Sequence, residues 1–158
     1  MSKQFVNDII FFVIQVEKEG AEFYRKLANS VSNQAAKNVF HSLIKDELQH
    51  QKDFEELSRN LVNDSVYLVS STSLVEILVS VTEKIKKTIR GSELVNMSEA
   101  SFAEALNIAI HNEKEAIRIY TELLGVSFPQ IDLVLPRIIS EEKKHLALLV
   151  NLKAQRLG

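Results

Sequence analysis

EKEGAEFY, residues 17–24, lies inside a strongly apolar stretch, and residues 113–120 repeat the phrase as EKEAIRIY. The first glutamate of each phrase decides the fold, because the helical face that carries it also carries the apolar residues a core needs. In steps of three and four, the spacing of a bundle-facing seam, the first segment reads Ile10, Val13, Glu17, Gly20, Tyr24, Leu27, Val31. A second reads Ala36, Phe40, Leu43, Glu47, His50, Phe54, Leu57, Leu61. The third gives Phe102, Leu106, Ala109, Glu113, Ala116, Tyr120, Leu123, and the fourth gives Leu135, Ile138, Glu142, His145, Leu149, Leu152. Each seam is apolar except at its middle, where glutamate or histidine intrudes. Four carboxylates and two imidazoles therefore point at one level of the core.

Working outward, helical periodicity marks four long segments at about 3–30, 33–61, 99–124 and 130–156. A very short connection after Ser30 makes the first two antiparallel neighbours. Gly125 closes the third segment and Pro129 precedes the fourth, both ordinary helix-boundary signals. Pro136 either kinks the fourth helix or marks its first regular turn. Residues 62–98 form a long connection that opens with Asn63-Asp64-Ser65 and continues through the loop-like cluster Ser70-Ser71-Thr72-Ser73. Within it Leu74, Ile77, Leu78, Val81, Ile85 and Ile89 recur at helical spacing, which predicts an amphipathic helix. Its apolar stripe is expected to pack on the bundle or on a partner subunit rather than on a membrane surface. Lys84, Lys86 and Lys87 read as its solvated face. Two antiparallel pairs joined by one crossover, in a single domain over 1–158, have the layout of an all-α, ferritin-like four-helix bundle.

Composition narrows the function classes. Four glycines and two prolines in 158 residues leave long helices uninterrupted. A net charge of −2 gives no electrostatic case for nucleic acid or an anionic membrane. The absence of cysteine removes disulfides, zinc–thiolate sites, iron–sulfur clusters and thiol nucleophiles. The apolar run from Ile9 to Ile14 is too short to span a bilayer, so a cytoplasmic address is the expectation.

The glutamates on the seams demand a counter-charge. An ionised carboxylate in a core costs several kcal/mol even after relaxation, against a total stability of about 5–15 kcal/mol. No lysine or arginine lies on these seams. Two divalent cations would supply +4 against the −4 of Glu17, Glu47, Glu113 and Glu142, with neutral His50 and His145 completing the ligands. Residues three apart share a helical face, so Glu47 with His50, and Glu142 with His145, reach the same region. One glutamate from each of two helices, with Glu-x-x-His from each of the other two, matches the ligand pattern of di-iron and di-manganese carboxylate bundles. Glu-x-x-His alone is a weak signal, because 16 of the 158 residues are glutamate. The internal repeat is what makes it specific. Glu17 maps to Glu113, the pair Glu47 and His50 maps to Glu142 and His145, and Tyr24 and Tyr120 each follow their glutamate by two helical turns. The bland alternative is a plain bundle with fortuitous buried polar groups.

At these residues the chain resembles the rubrerythrin-like branch of the ferritin-like superfamily. EKEGAEFY followed by DELQH, then EKEAIRIY followed by EEKKH, is similar to that family's twofold pattern, over all four helices. The resemblance implies that Glu17, Glu47, His50, Glu113, Glu142 and His145 are metal ligands, with Glu47 and Glu142 able to bridge both ions. It also implies that Tyr24 and Tyr120 donate hydrogen bonds to carboxylate ligands. By the same resemblance the cofactor is two iron ions per chain, and carboxylate and imidazole suit manganese equally. The expected chemistry is oxidation of Fe(II), or reduction of O2 or peroxide, at the carboxylate-bridged pair. The alternatives are iron binding or buffering without turnover, and an interaction module with a structural metal.

Two features depart from the family pattern. Complete rubrerythrins carry a cysteine-ligated rubredoxin iron, and without cysteine any electrons must come from a separate donor. They also carry a further glutamate one turn after the third-helix ligand, where this chain has Ala116, with Gly20 at the equivalent first-helix position. The second difference removes a residue used in rubrerythrin peroxidase ligand exchange. His41 and His111 fall off the glutamate level, and Glu19, Glu22 and Glu115 read as outer-face charges. The crossover stripe needs a cover, so a homodimer is expected.

Overall fold

The structure, a computed structural model, describes residues 3–61, 99–124 and 129–157, all helical apart from a short connection at 31–33. The four helices are α1 (Lys3–Ser30), α2 (Gln34–Leu61), α3 (Glu99–Leu124) and α4 (Pro129–Leu157). Gly125 and the predicted crossover helix, with its stripe from Leu74 to Ile89, lie outside the described residues.

Local chemistry sets the first corner. Ser30 turns its hydroxyl back onto the Lys26 carbonyl at 2.8 Å, and the Val31 N–H closes the last turn of α1 on the Leu27 carbonyl at 3.1 Å. Asn33 then caps α2. Its side-chain oxygen accepts from the Ala36 N–H, and its carbonyl accepts from the Lys37 N–H, both at 3.0 Å. Such a cap satisfies a backbone donor that the first helical turn leaves open, worth about 1 kcal/mol. With only three residues between them, α1 and α2 pack along one another; α3 packs on α4, and α2 on α4.

α4 begins with Pro129, in the first turn, where a missing N–H costs nothing. Pro136 therefore falls inside the helix, not at its start. It withholds one N–H from the backbone ladder, while its neighbours Leu135 and Ile138 remain fully buried.

The core follows the seams and is cut in two. One apolar cluster joins Ile10 and Val13 of α1 to Phe54 and Leu57 of α2, Ile119 and Leu123 of α3, and Leu135 and Ile138 of α4. The other joins Leu27, Phe40, Leu43, Phe102, Leu106 and Leu149 at the opposite end of the bundle. Each such side chain contributes about 1.5–3 kcal/mol on burial. Between the clusters lies the polar level: Glu17, Glu47, His50, Glu113, Glu142 and His145 are all buried. The bundle is of the ferritin-like, all-α type, and no strand occurs among the described residues. Among them, too, no helix is long and apolar enough to cross a membrane.

Candidate metal centre

The six intruding residues converge, and they form two overlapping groups. Glu17, Glu47, His50 and Glu142 bring one ligand atom each to within 4.8 Å of one another, and so do Glu47, Glu113, Glu142 and His145. Glu47 and Glu142 belong to both. Each group is thus a set of three carboxylates and one imidazole, and two carboxylates serve both sets.

Glu142 is the most tightly held of them. Its Oε1 lies 2.9 Å from His50 Nδ1, and its Oε2 lies 3.0 Å from His145 Nδ1. His50 Nδ1 also lies 3.3 Å from Glu17 Oε2, and His145 Nδ1 lies 3.3 Å from Glu47 Oε1. The two imidazoles face each other with ring centroids 5.7 Å apart.

The other nitrogen of each histidine points outward to a carboxylate on the opposite helix. His50, on α2, places Nε2 2.9 Å from Glu141 on α4. His145, on α4, places Nε2 3.3 Å from Asp46 on α2. A carboxylate at Nε2 favours the proton there and turns the Nδ1 lone pair into the site, the arrangement a metal-ligating histidine needs. Glu141 is itself anchored by Arg137 at 3.0 Å, and Arg137 also pairs with Asp53. Sequence reading missed Asp46 and Glu141. The signal was present in the acidic residue that precedes the glutamate in both DELQH and EEKKH.

The tyrosines cross between helices in the same reciprocal way. Tyr24 of α1 donates to Glu113 of α3, and Tyr120 of α3 donates to Glu17 of α1. Phe40 stacks on Tyr24 at 6.2 Å and Phe54 tilts against Tyr120 at 5.4 Å, which fixes both rings. Burial, with the nearby Glu113 charge for Tyr24 and Glu17 for Tyr120, pushes both phenols well above their ordinary range. They stay protonated donors at neutral pH.

Electrostatics describe what the residues do on their own. Burial pushes the Glu47 carboxyl well above the carboxylate range, and the charges of Glu142, Glu17 and Glu113 push it further. Burial and Glu142 do the same to Glu113, against the opposing hydrogen bond from Tyr24. Burial also acts to raise Glu142, but His145 and His50 beside it hold its carboxyl well below the usual range. Burial lowers His50, yet the adjoining Glu142 and Glu17 carboxylates outweigh it and push the imidazole up to about 11. Without metal, burial and mutual repulsion thus favour the protonated forms of Glu47 and Glu113, and the adjoining carboxylates favour that of His50.

The donor set fits divalent metal. Glu17 Oε2, His50 Nδ1 and Glu142 Oε1 are buried and make no hydrogen bond of good geometry, although they face one another at 2.9–3.3 Å. A buried donor or acceptor left unmade costs about 1–3 kcal/mol, and a cation bound among these three would satisfy them together. Carboxylate and imidazole are ligands for iron, manganese or zinc. These residues are therefore able to hold metal.

Of the remaining sequence candidates, His41, His111 and Glu22 are exposed. Glu115 pairs with Arg118 at 2.9 Å. Glu19 differs from expectation: it is half-buried and lines a cavity beside the centre. That cavity, about 40 Å³, is bounded by Val16, Gly20, Phe23, Asn112 and Ala116, and Glu47, Glu113 and Glu142 line it from the metal side. No curated protein and no solved structure matches the chain. The Rubrerythrin family model matches residues 8–153, a span that includes every residue of the buried polar level, and the chain belongs to the rubrerythrin family.

Proposed function

We propose that the chain is a non-haem di-iron oxidoreductase of the ferroxidase or peroxidase type, holding two irons at the buried level. One position is held by Glu17, Glu47, His50 and Glu142, the other by Glu47, Glu113, Glu142 and His145. The observation that carries this reading is the overlap of the two groups, in which Glu47 and Glu142 serve both positions. Two carboxylates common to both positions would hold two metals side by side.

When bound, the iron pair supplies electrons to O2 or peroxide, as Fe(II) is oxidised to Fe(III). The protein's own part is to select, orient and exclude. Asp46 and Glu141 hold the histidine rings, and Tyr24 and Tyr120 hold Glu113 and Glu17. The apolar clusters above and below the level keep bulk water from the centre. A cavity of about 40 Å³ admits a molecule the size of dioxygen or peroxide, since a single water needs only about 10–15 Å³ on this measure. This domain has no cysteine to hold a rubredoxin iron, so electrons for turnover come from outside it, from a donor we place in the cytoplasm. We further propose that the working unit is a homodimer, which light scattering at micromolar concentration tests.

An oxygen-electrode trace on anaerobically Fe(II)-loaded protein tests the activity. Uptake of O2, or of added peroxide, in proportion to bound iron is expected. No uptake of either, with iron released rapidly to a chelator, would replace this function with iron buffering. No uptake with iron retained would leave a structural metal.

A further inference from the structure

The two shared carboxylates are equivalent in the sequence repeat but not in the structure. Glu142 is pinned, with one oxygen 2.9 Å from His50 and the other 3.0 Å from His145. Glu47 meets a histidine with Oε1 only, at 3.3 Å. Its Oε2 lies over α1 at Gly20, 2.8 Å from where a Cβ on that residue would stand, and its Cδ is 3.4 Å from the same point. No methyl group fits there without displacing the carboxylate.

Gly20 is not required by the backbone. It sits inside a regular α-helix, where alanine is the better helix former. The missing side chain is what the position provides. Ala116 holds the corresponding place in the repeat, three residues after Glu113 as Gly20 is three after Glu17. Both residues line the cavity, as Glu47 and Glu142 themselves do; the two carboxylates differ in that Glu142 lies between two imidazoles, while Oε2 of Glu47 takes the space a side chain at position 20 would fill.

We propose that Gly20 is a positioning residue that lets the Glu47 carboxylate lodge against α1, making Glu47 rather than Glu142 the shared ligand free to change its binding mode. The inference deepens the metal-pair reading and rests on it. It concerns ligand geometry, so metal binding reads it without turnover.

The test is a Co(II) titration of metal-free wild type, Gly20→Ala and Ala116→Gly, followed by visible absorption and calorimetry, with circular dichroism as the check on folding. The added methyl meets the far end of a flexible side chain, so Gly20→Ala is expected to keep its helix content. It should nevertheless change the Co(II) ligand-field bands, which report coordination number, and weaken binding at least about tenfold. Ala116→Gly should keep the wild-type spectrum and bind within about twofold. A Gly20→Ala protein with wild-type bands and affinity overturns the proposal, and so does an Ala116→Gly protein perturbed as strongly. Should Gly20→Ala lose helix, the double variant with Glu47→Asp, whose carboxylate is one methylene shorter, must regain it; failure to do so also overturns the proposal. Wild type that binds no Co(II) pair refutes the reading of the centre itself, whereas wild type that binds two while Gly20→Ala matches it refutes only the role of Gly20.

Discussion

Stripped of metal, the bundle should become more stable as the solution is acidified from pH 7.5 toward 5.5. Glu47 and Glu113 are raised well above the carboxylate value of 4.5, and His50 is raised from 6.5 to about 11. In each case the folded state binds a proton that the unfolded chain has released. For the carboxyls that excess holds from about pH 4.5 up to their raised values, and for His50 it holds between 6.5 and about 11. Glu142 acts the other way, but its value is depressed, so its contribution is lost only below about 4.5, outside the window. One excess proton is worth about 1.4 kcal/mol per pH unit. Each carboxyl adds to the slope while the pH lies below its raised value, His50 adds most of one proton near pH 7, and hydration of the metal-free core lowers the sum. Below pH 6.5 His50 is protonated in both states and drops out. His50 alone makes a gain of about 1 kcal/mol expected between pH 7.5 and 6.5. The loaded protein should show the opposite slope, because protons compete with metal for the same ligands. At pH 7.5 it should exceed the metal-free form by about 4 kcal/mol when metal is a thousandfold above Kd. Urea melts of both forms, in chelator and in excess Mn(II), measure this. Parallel pH trends, or a metal-free form as stable as the loaded one at pH 7.5, would refute the reasoning.

Three further outcomes are expected. Glu47→Ala and Glu142→Ala should each lose metal from both positions by elemental analysis, since each residue serves both groups; full occupancy in either would break the ligand assignment. Asp46→Asn, Glu141→Gln, Tyr24→Phe and Tyr120→Phe should weaken metal binding by about 10–100-fold with little change in helix content, as removal of a ligand's supporting hydrogen bond does. Phe40→Ala, at a fully buried ring packed on Tyr24 and Phe102, should cost about 3–5 kcal/mol in a denaturant titration. It should still bind two metal ions, and a change in stoichiometry would mean that the core and the centre are not separable.

The four helices and the polar level were legible because both rest on one period. From Ile10 to Leu152 the seam residues are buried except Gly20, leaving aside Leu61 at the end of α2, as apolar spacing of three and four requires. The flanking residues Phe23, Ala105 and Ile119 are buried too, since a packed helix buries a face wider than one stripe. What the pattern could not show is register across helices. Whether Asp46 meets His145, or Gly20 meets Glu47, depends on how far one helix slides along its neighbour, and no local spacing encodes that. The same limit hid the difference between Glu47 and Glu142. Both sit in the same pattern, an acidic residue followed by Glu-x-x-His, yet the two histidines depress Glu142 while burial and repulsion raise Glu47.

The division of the two ligand groups bears on assembly. The first draws Glu17, Glu47 and His50 from the leading helix pair and borrows Glu142; the second draws Glu113, Glu142 and His145 from the trailing pair and borrows Glu47. Neither half of the chain can therefore complete even one position by itself. Metal bound there would act as a rivet between two halves that repeat the same ligand pattern, each holding three-quarters of a socket. Two copies of one half, facing each other, would present the same eight ligand places that the full chain presents, so a symmetric pair of single hairpins is a chemically sufficient precursor of the architecture. In the full chain the same property ties the union of its halves to the loading of the site.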